Sequence, residues 1–242
     1  MSLSAVLFDP KGVIIDDQKI QQELIADILL KENLRPETDD FKNYCLGKSD
    51  RQALKDLLKS RGRVVTADYL DKLNLAKSTD YLQKLSQLEN LPLYSGFLEF
   101  LVELQGQQIF VGLVTGTLQA EAEFIIRELG IAEYISLAIS ADHPEIASQE
   151  VDLELNYYAI ALNIINQQFP ELNLQPQNCL VIESTYPRIT AAQRLGMQVV
   201  GITNRYPFHM LQRKTDWTVD YLAEIDLDRI NQTLSKLEVS QE

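Results

Sequence analysis

The stretch from Ala5 to Asp17, AVLFDPKGVIIDD, limits the fold more than any other part of the chain. Its first residues, Ala5 to Phe8, form a short run that is apolar throughout, without the alternation of a strand wetted on one face. Such a run predicts a strand buried on both sides, as in parallel sheets whose two faces are covered by helices. The strand ends on a carboxylate, Asp9. Gly12 then turns the chain into a second apolar run, Val13 to Ile15. Asp9 is therefore expected at the carboxyl end of a strand, where open α/β sheets gather their ligands.

The rest of the chain repeats the theme after an interruption. Further apolar strands are expected at Ile109 to Val114, Ile135 to Ile139, Cys179 to Ile182 and Val199 to Ile202, with an edge strand at Trp217 to Leu222. Helical spacing separates them around Phe97 to Leu104, Ala120 to Leu129, Tyr157 to Asn166 and Ile189 to Leu195, and a closing helix covers Leu227 to Leu237. Strands alternating with helices predict a doubly wound parallel sheet, because parallel neighbours require crossovers. The Asp9 strand should be central, flanked by the strands ending at Thr115 and Glu183. Between them, Ile20, Leu24, Ile25, Ile28 and Leu29 recur at helical spacing, as do Ala53, Leu54, Leu57 and Leu58, then Leu70, Leu73, Ala76 and Tyr81. These positions predict an inserted all-helical cap at 18–90, with the α/β core formed by 1–17 and 91–242.

Composition excludes several functions. The net charge of −13 over 242 residues argues against binding nucleic acid or an anionic membrane surface, since both need a basic face. No apolar run reaches the length of a membrane span, and no basic and apolar leader opens the chain, so a cytoplasmic protein is expected. Cys45 and Cys179 lie in unlike contexts without metal-ligand spacing and are expected as buried thiols. The single Trp217 is expected to serve packing.

The motifs resemble those of the haloacid dehalogenase-like hydrolases, in the branch of β-phosphoglucomutase-like phosphatases. Asp9, Gly12, Val13 and Asp16 match the first motif, hhhhDxDG(V/T)hhD. Thr115 and Gly116 in LVTGT match the second. The segment from Asp152 to Tyr158 stands where the third motif, KPxPDxY, should be. Leu180 to Met197 matches the length and small residues of the fourth, hhxEDSxxGhxAAxxAGM. The resemblance implies that Asp9 is the phosphoryl-accepting nucleophile, that Thr115 and Gly116 hold a phosphate oxygen, and that Glu183 helps hold Mg²⁺. A strand-end threonine capping the next helix is the alternative for Thr115.

Five departures bear on activity. Lys11 replaces the aspartate that acts as general acid and base, a role an ammonium fills only with a pKa lowered by several units. Pro10 withdraws one backbone amide from the phosphate cradle. Asp152 replaces the lysine of the third motif, and the sequence has no lysine between Lys84 and Lys214, which leaves Arg188 and Arg205 as stand-ins. Ser184 replaces the second metal-binding carboxylate, and Arg188 replaces a glycine. No bound Mg²⁺ is expected; the resemblance alone implies it. Lys11 is expected either to offset the charge of Asp9 or Glu183 in place of the metal, or to reach solvent. The true dehalogenases also lack the second aspartate and work without metal, but Asp152 and Ser184 oppose that alternative. The expectation is a catalytically impaired member acting as a binding or interaction protein, with a small phosphorylated ligand in the cleft between cap and core as the candidate partner. A phosphomonoester hydrolase using Asp9 with atypical support is the alternative.

Overall fold

A computed structural model of the chain describes residues 2–147 and 153–239. Strands β1 (Ala5–Phe8), β2 (Phe110–Val114), β3 (Leu137–Ile139), β4 (Cys179–Glu183), β5 (Gln198–Ile202) and β6 (Trp217–Val219) form one parallel sheet in the order β3-β2-β1-β4-β5-β6. β1 is central and wholly buried. Its register sets Phe8 beside Leu113 on one side and Ile182 on the other, so the residues just beyond these three strands converge on one point. The chain leaves β1 toward β2 and later returns to β4 on the opposite side. That reversal opens a crevice at the carboxyl edge.

Each side chain of β1 points to a different layer from the next. Val6 and Phe8 enter the core beneath Phe97, Leu101 and Leu104, while Ala5 and Leu7 enter the core beneath Ile160, Ile165 and Ala192. The first layer carries α4 (Phe97–Gly106), α5 (Gln119–Leu129) and α10 (Leu227–Val239). The second carries α7 (Leu153–Gln168) and α8 (Tyr186–Leu195); the short helices α6 (Pro144–Ala147) and α9 (Phe208–Leu211) lie in the connections.

Between β1 and α4 the chain forms the cap helices α1 (Gln18–Lys31), α2 (Asp50–Ser60) and α3 (Ala67–Ser86), with a single π-helical turn at Phe41–Cys45. Ser49 and Thr66 accept the amides of Gln52 and Tyr69 and so start α2 and α3. The helices bury a core of their own, built from Ile25, Ile28, Leu29, Leu54, Leu57, Leu58 and Leu70. The foot of the cap, at Leu24, Tyr81 and Leu85, joins the core of the α/β layer instead.

Two expected elements differ from those formed. β3 begins at Leu137 rather than Ile135, because the Ser136 hydroxyl accepts the Val111 amide and its own amide donates to the Val111 carbonyl. β6 ends at Val219 because Leu222 opens a 3-10 turn, Leu222–Glu224.

Candidate functional site

Asp9 lies one residue beyond β1 and is nearly buried. Its Oδ1 accepts the Lys11 amide at 3.0 Å and the Thr115 hydroxyl at 3.1 Å. Its Oδ2 is 3.3 Å from Nη2 of Arg188. The turn that makes this possible needs Gly12, with φ +80°, where an added Cβ would come within 2.9 Å of Arg205 Nε and Ser184 Oγ. Burial is the largest influence on Asp9 and raises its pKa; Arg188, the Lys11 amide, the Lys11 charge and Thr115 only partly oppose it.

Glu183 closes β4 and is 1% exposed. Its Oε1 accepts the Tyr158 hydroxyl at 2.6 Å, and its Oε2 accepts the Ser184 amide at 3.2 Å. Burial pushes its pKa up to about 7, with Arg188 lowering and Asp9 raising it. Arg188, from the first turn of α8, lies between the two carboxylates. Its Nη1 donates to the Val114 carbonyl at 3.2 Å and is 4.0 Å from Glu183 Oε1, while its guanidinium carbon lies 4.8 Å from the centre of the Tyr157 ring. The Tyr157 hydroxyl in turn donates to the Thr115 carbonyl. Burial pulls the Arg188 pKa down, but Asp9 and Glu183 outweigh it, so the guanidinium stays charged.

Lys11 corrects the expectation that its ammonium pairs with Asp9 or Glu183. Only its amide reaches Asp9. Its Nζ lies 2.6 Å from Glu121 Oε2 and 3.3 Å from Asp50 Oδ2, above the ring of Tyr81 at 4.4 Å. The physical reason is local competition: Asp9 and Glu183 already face a guanidinium, whereas Glu121 is buried with no other ion pair among the described residues. Burial lowers the Lys11 pKa, but Asp50 and Glu121 more than reverse that and raise it further, which is the opposite of what a proton shuttle needs. Lys77 joins the group 2.8 Å from Asp50. Lys11 donates a hydrogen bond to Asp50, whereas its contact with Glu121 and that of Lys77 with Asp50 are ionic without a well-directed hydrogen bond.

Of the remaining expected residues, Gly116 faces the cap. Its carbonyl accepts the Asp50 amide at 3.0 Å, and an added Cβ would lie 2.8 Å from both Ser49 Cα and Arg188 Nη2. Ser184 lies beside Gly12. Arg205 does not reach Asp9; it pairs with Asp17 at 3.2 Å, which also accepts Gln21 and Tyr81. Asp152 falls outside the described residues. Glu121, Asp50 and Lys77 were not foreseen. One signal was available for Lys77: it lies on the buried stripe of α3 with Leu70, Asn74, Tyr81 and Leu85.

Cap and core meet around a cavity of about 60 Å³ lined by Asp9, Lys11, Asp50, Lys77, Arg188 and Arg205, among others. The residues do not fit Mg²⁺, which needs an octahedron of oxygen ligands. A fixed guanidinium faces the two carboxylates, the third donor is a neutral serine, and no group of three acidic, histidine or cysteine side chains among the described residues could hold a metal.

A parallel α/β core with an aspartate just beyond its central strand, under an inserted helical unit, defines a class of hydrolases. The chain belongs to the haloacid dehalogenase-like hydrolase family, whose sequence profile matches residues 6–153. It is 25% identical over 229 residues to the β-phosphoglucomutase of Bacillus subtilis, covering 92% of this chain and 95% of that one. The crystal structure of the Clostridium difficile β-phosphoglucomutase superposes with a TM-score of 0.77 at 18% identity, covering 99% and 100% of the two chains. A point mutant of CbbY from Rhodobacter sphaeroides, in complex with xylulose-(1,5)bisphosphate, gives a TM-score of 0.74 at 15% identity, covering 92% and 96%.

Proposed function

We propose that this chain is a catalytically impaired member of its family that binds a small phosphorylated ligand in the cleft between an 18–90 cap and the α/β core. The observation that carries this is the fate of Lys11. At the position from which a relative protonates the leaving group, the side chain is an ammonium turned toward Asp50 and Glu121. Loss of a general acid removes about 10²- to 10⁴-fold in rate. The pairing of Asp9 with Arg188 ties up the carboxylate as well. The ligand class is supported by relatives such as CbbY, seen with a sugar bisphosphate.

A second reading is favoured by one contact. The Thr115 hydroxyl still orients Asp9, as a phosphomonoester hydrolase supported by Arg188 would require. A panel of sugar and nucleoside phosphates with Mg²⁺ at several pH values, run beside Asp9→Asn, separates the two. Background turnover with ligand-dependent thermal stabilisation is expected. Turnover abolished in Asp9→Asn overturns the impaired reading, and a panel without any stabilisation overturns the binding role.

A further inference from the structure

We propose that Arg188 is the resident cation of this site, and that its guanidinium, rather than a divalent metal, neutralises Asp9 and Glu183. The inference deepens the functional reading above and rests on it for the identity of the cleft, but it is tested by metal binding rather than by turnover.

Three features tie the guanidinium to this position. It is directed at both carboxylates, 3.3 Å from Asp9 and 4.0 Å from Glu183. It is anchored from behind by the Val114 carbonyl and lies against the Tyr157 ring, a stacking for which a planar, weakly hydrated cation is suited. And it is enclosed, with Gly116 on one side so close that a methyl group there would meet Nη2 at 2.8 Å. Swinging the side chain away to admit a metal would strip two buried carboxylates of their counter-ion and leave the carbonyl without this donor. Both losses are unfavourable in a buried site.

The substitutions then form a coherent set. A site with a fixed positive charge has no use for a second metal-binding carboxylate, and Ser184 is neutral. The position occupied by Arg188 is a glycine in the motif that the chain resembles, and a glycine there would leave the space between Asp9 and Glu183 without a side chain. A divalent ion entering beside the guanidinium would be repelled at short range in a medium of reduced dielectric. The cation differs from a metal in one chemical respect. It donates hydrogen bonds and has no vacant coordination position, so it can hold an anionic oxygen but cannot activate water by coordination.

The test is calorimetric titration of the full chain with MgCl₂, in parallel for wild type, Ser184→Asp, Arg188→Lys, and the double variant Arg188→Gly with Ser184→Asp, with circular dichroism to confirm folding. Wild type, Ser184→Asp and Arg188→Lys are expected to show no saturable Mg²⁺ binding. The double variant is expected to gain at least about tenfold in affinity, because a like charge is removed and a carboxylate added. Saturable binding by wild type or by Ser184→Asp overturns the proposal, since the guanidinium would then not exclude the metal. A folded double variant that binds no better than wild type overturns it also. Metal-free hydrolysis by wild type would sink the impaired-enzyme reading and leave this one standing.

Discussion

Replacing Lys11 by methionine removes a charge while keeping a stem of similar length against Tyr81, and the structure sets the size of the effect. Asp50 retains Lys77 at 2.8 Å when Lys11 is lost. Glu121 has no such reserve: it is 1% exposed, its ion pair is with Lys11, and neither of its oxygens has a directed hydrogen bond. The loss therefore concentrates on one orphaned buried carboxylate, for which removal of a partner costs about 3–5 kcal/mol. In a chain of this size that corresponds to a fall of roughly 6–20 °C in melting temperature. The assay is urea denaturation followed by circular dichroism, run as a double-mutant cycle with Glu121→Gln. Because the second substitution removes the stranded charge, the double variant should recover stability, with a coupling of about 2 kcal/mol. A Lys11→Met variant within about 1 kcal/mol of wild type, or a double variant no more stable than the single, would refute the assignment of Lys11 as a buried internal counter-ion.

Three further outcomes follow from the same geometry. Lys11→Asp alone should remain at background toward phosphate esters and be less stable than Lys11→Met, because it sets a new carboxylate beside Asp50 and Glu121; strong turnover from this variant would show that Asp152 and Ser184 matter little. Glu183 holds its proton more tightly folded than unfolded, with its pKa raised from 4.5 to about 7 chiefly by burial. It therefore favours the fold below pH 4.5, and stability should fall as pH rises from there to about 7; a Glu183→Gln variant whose pH slope in that interval matches wild type would contradict this. Asp50→Asn should loosen the cap and speed the labelling of Cys45, which lines the cavity, while Cys179 stays silent; unchanged Cys45 kinetics would mean that the ionic contacts do not hold the cap.

The legible parts of the fold were those governed by continuous apolar runs. β1, β2, β4 and β5 fall within a residue or so of their expected bounds because each is buried on both sides and its hydrophobic run is its boundary. β3 and β6, the edge strands, were overestimated, since there a serine hydroxyl and a 3-10 turn decide where pairing stops. The position of Asp9 between Thr115 and Glu183 was legible for the same reason as β1. The cations were not. Lys11 follows Asp9 by two residues, which points its charge at Asp9, but its partners come from α2 and α5, and nothing in local spacing says that Asp50 and Glu121 converge. Arg188 could be named as a stand-in only from the long stretch without lysine. Its direction is set by the Val114 carbonyl and the Tyr157 ring, contacts that local spacing does not reveal.

The approach of Gly116 to the backbone at Ser49 means that the cap closes along a seam of main chain against main chain, tightened by the Asp50 amide. A seam of that kind carries no net charge, so added salt leaves it intact. The ion pairs beside it respond differently, because they lose strength as screening increases wherever water reaches them. Closure thus has two components with different sensitivities: ionic strength addresses one, and only a change in main-chain geometry, such as a side chain introduced at position 116, addresses the other.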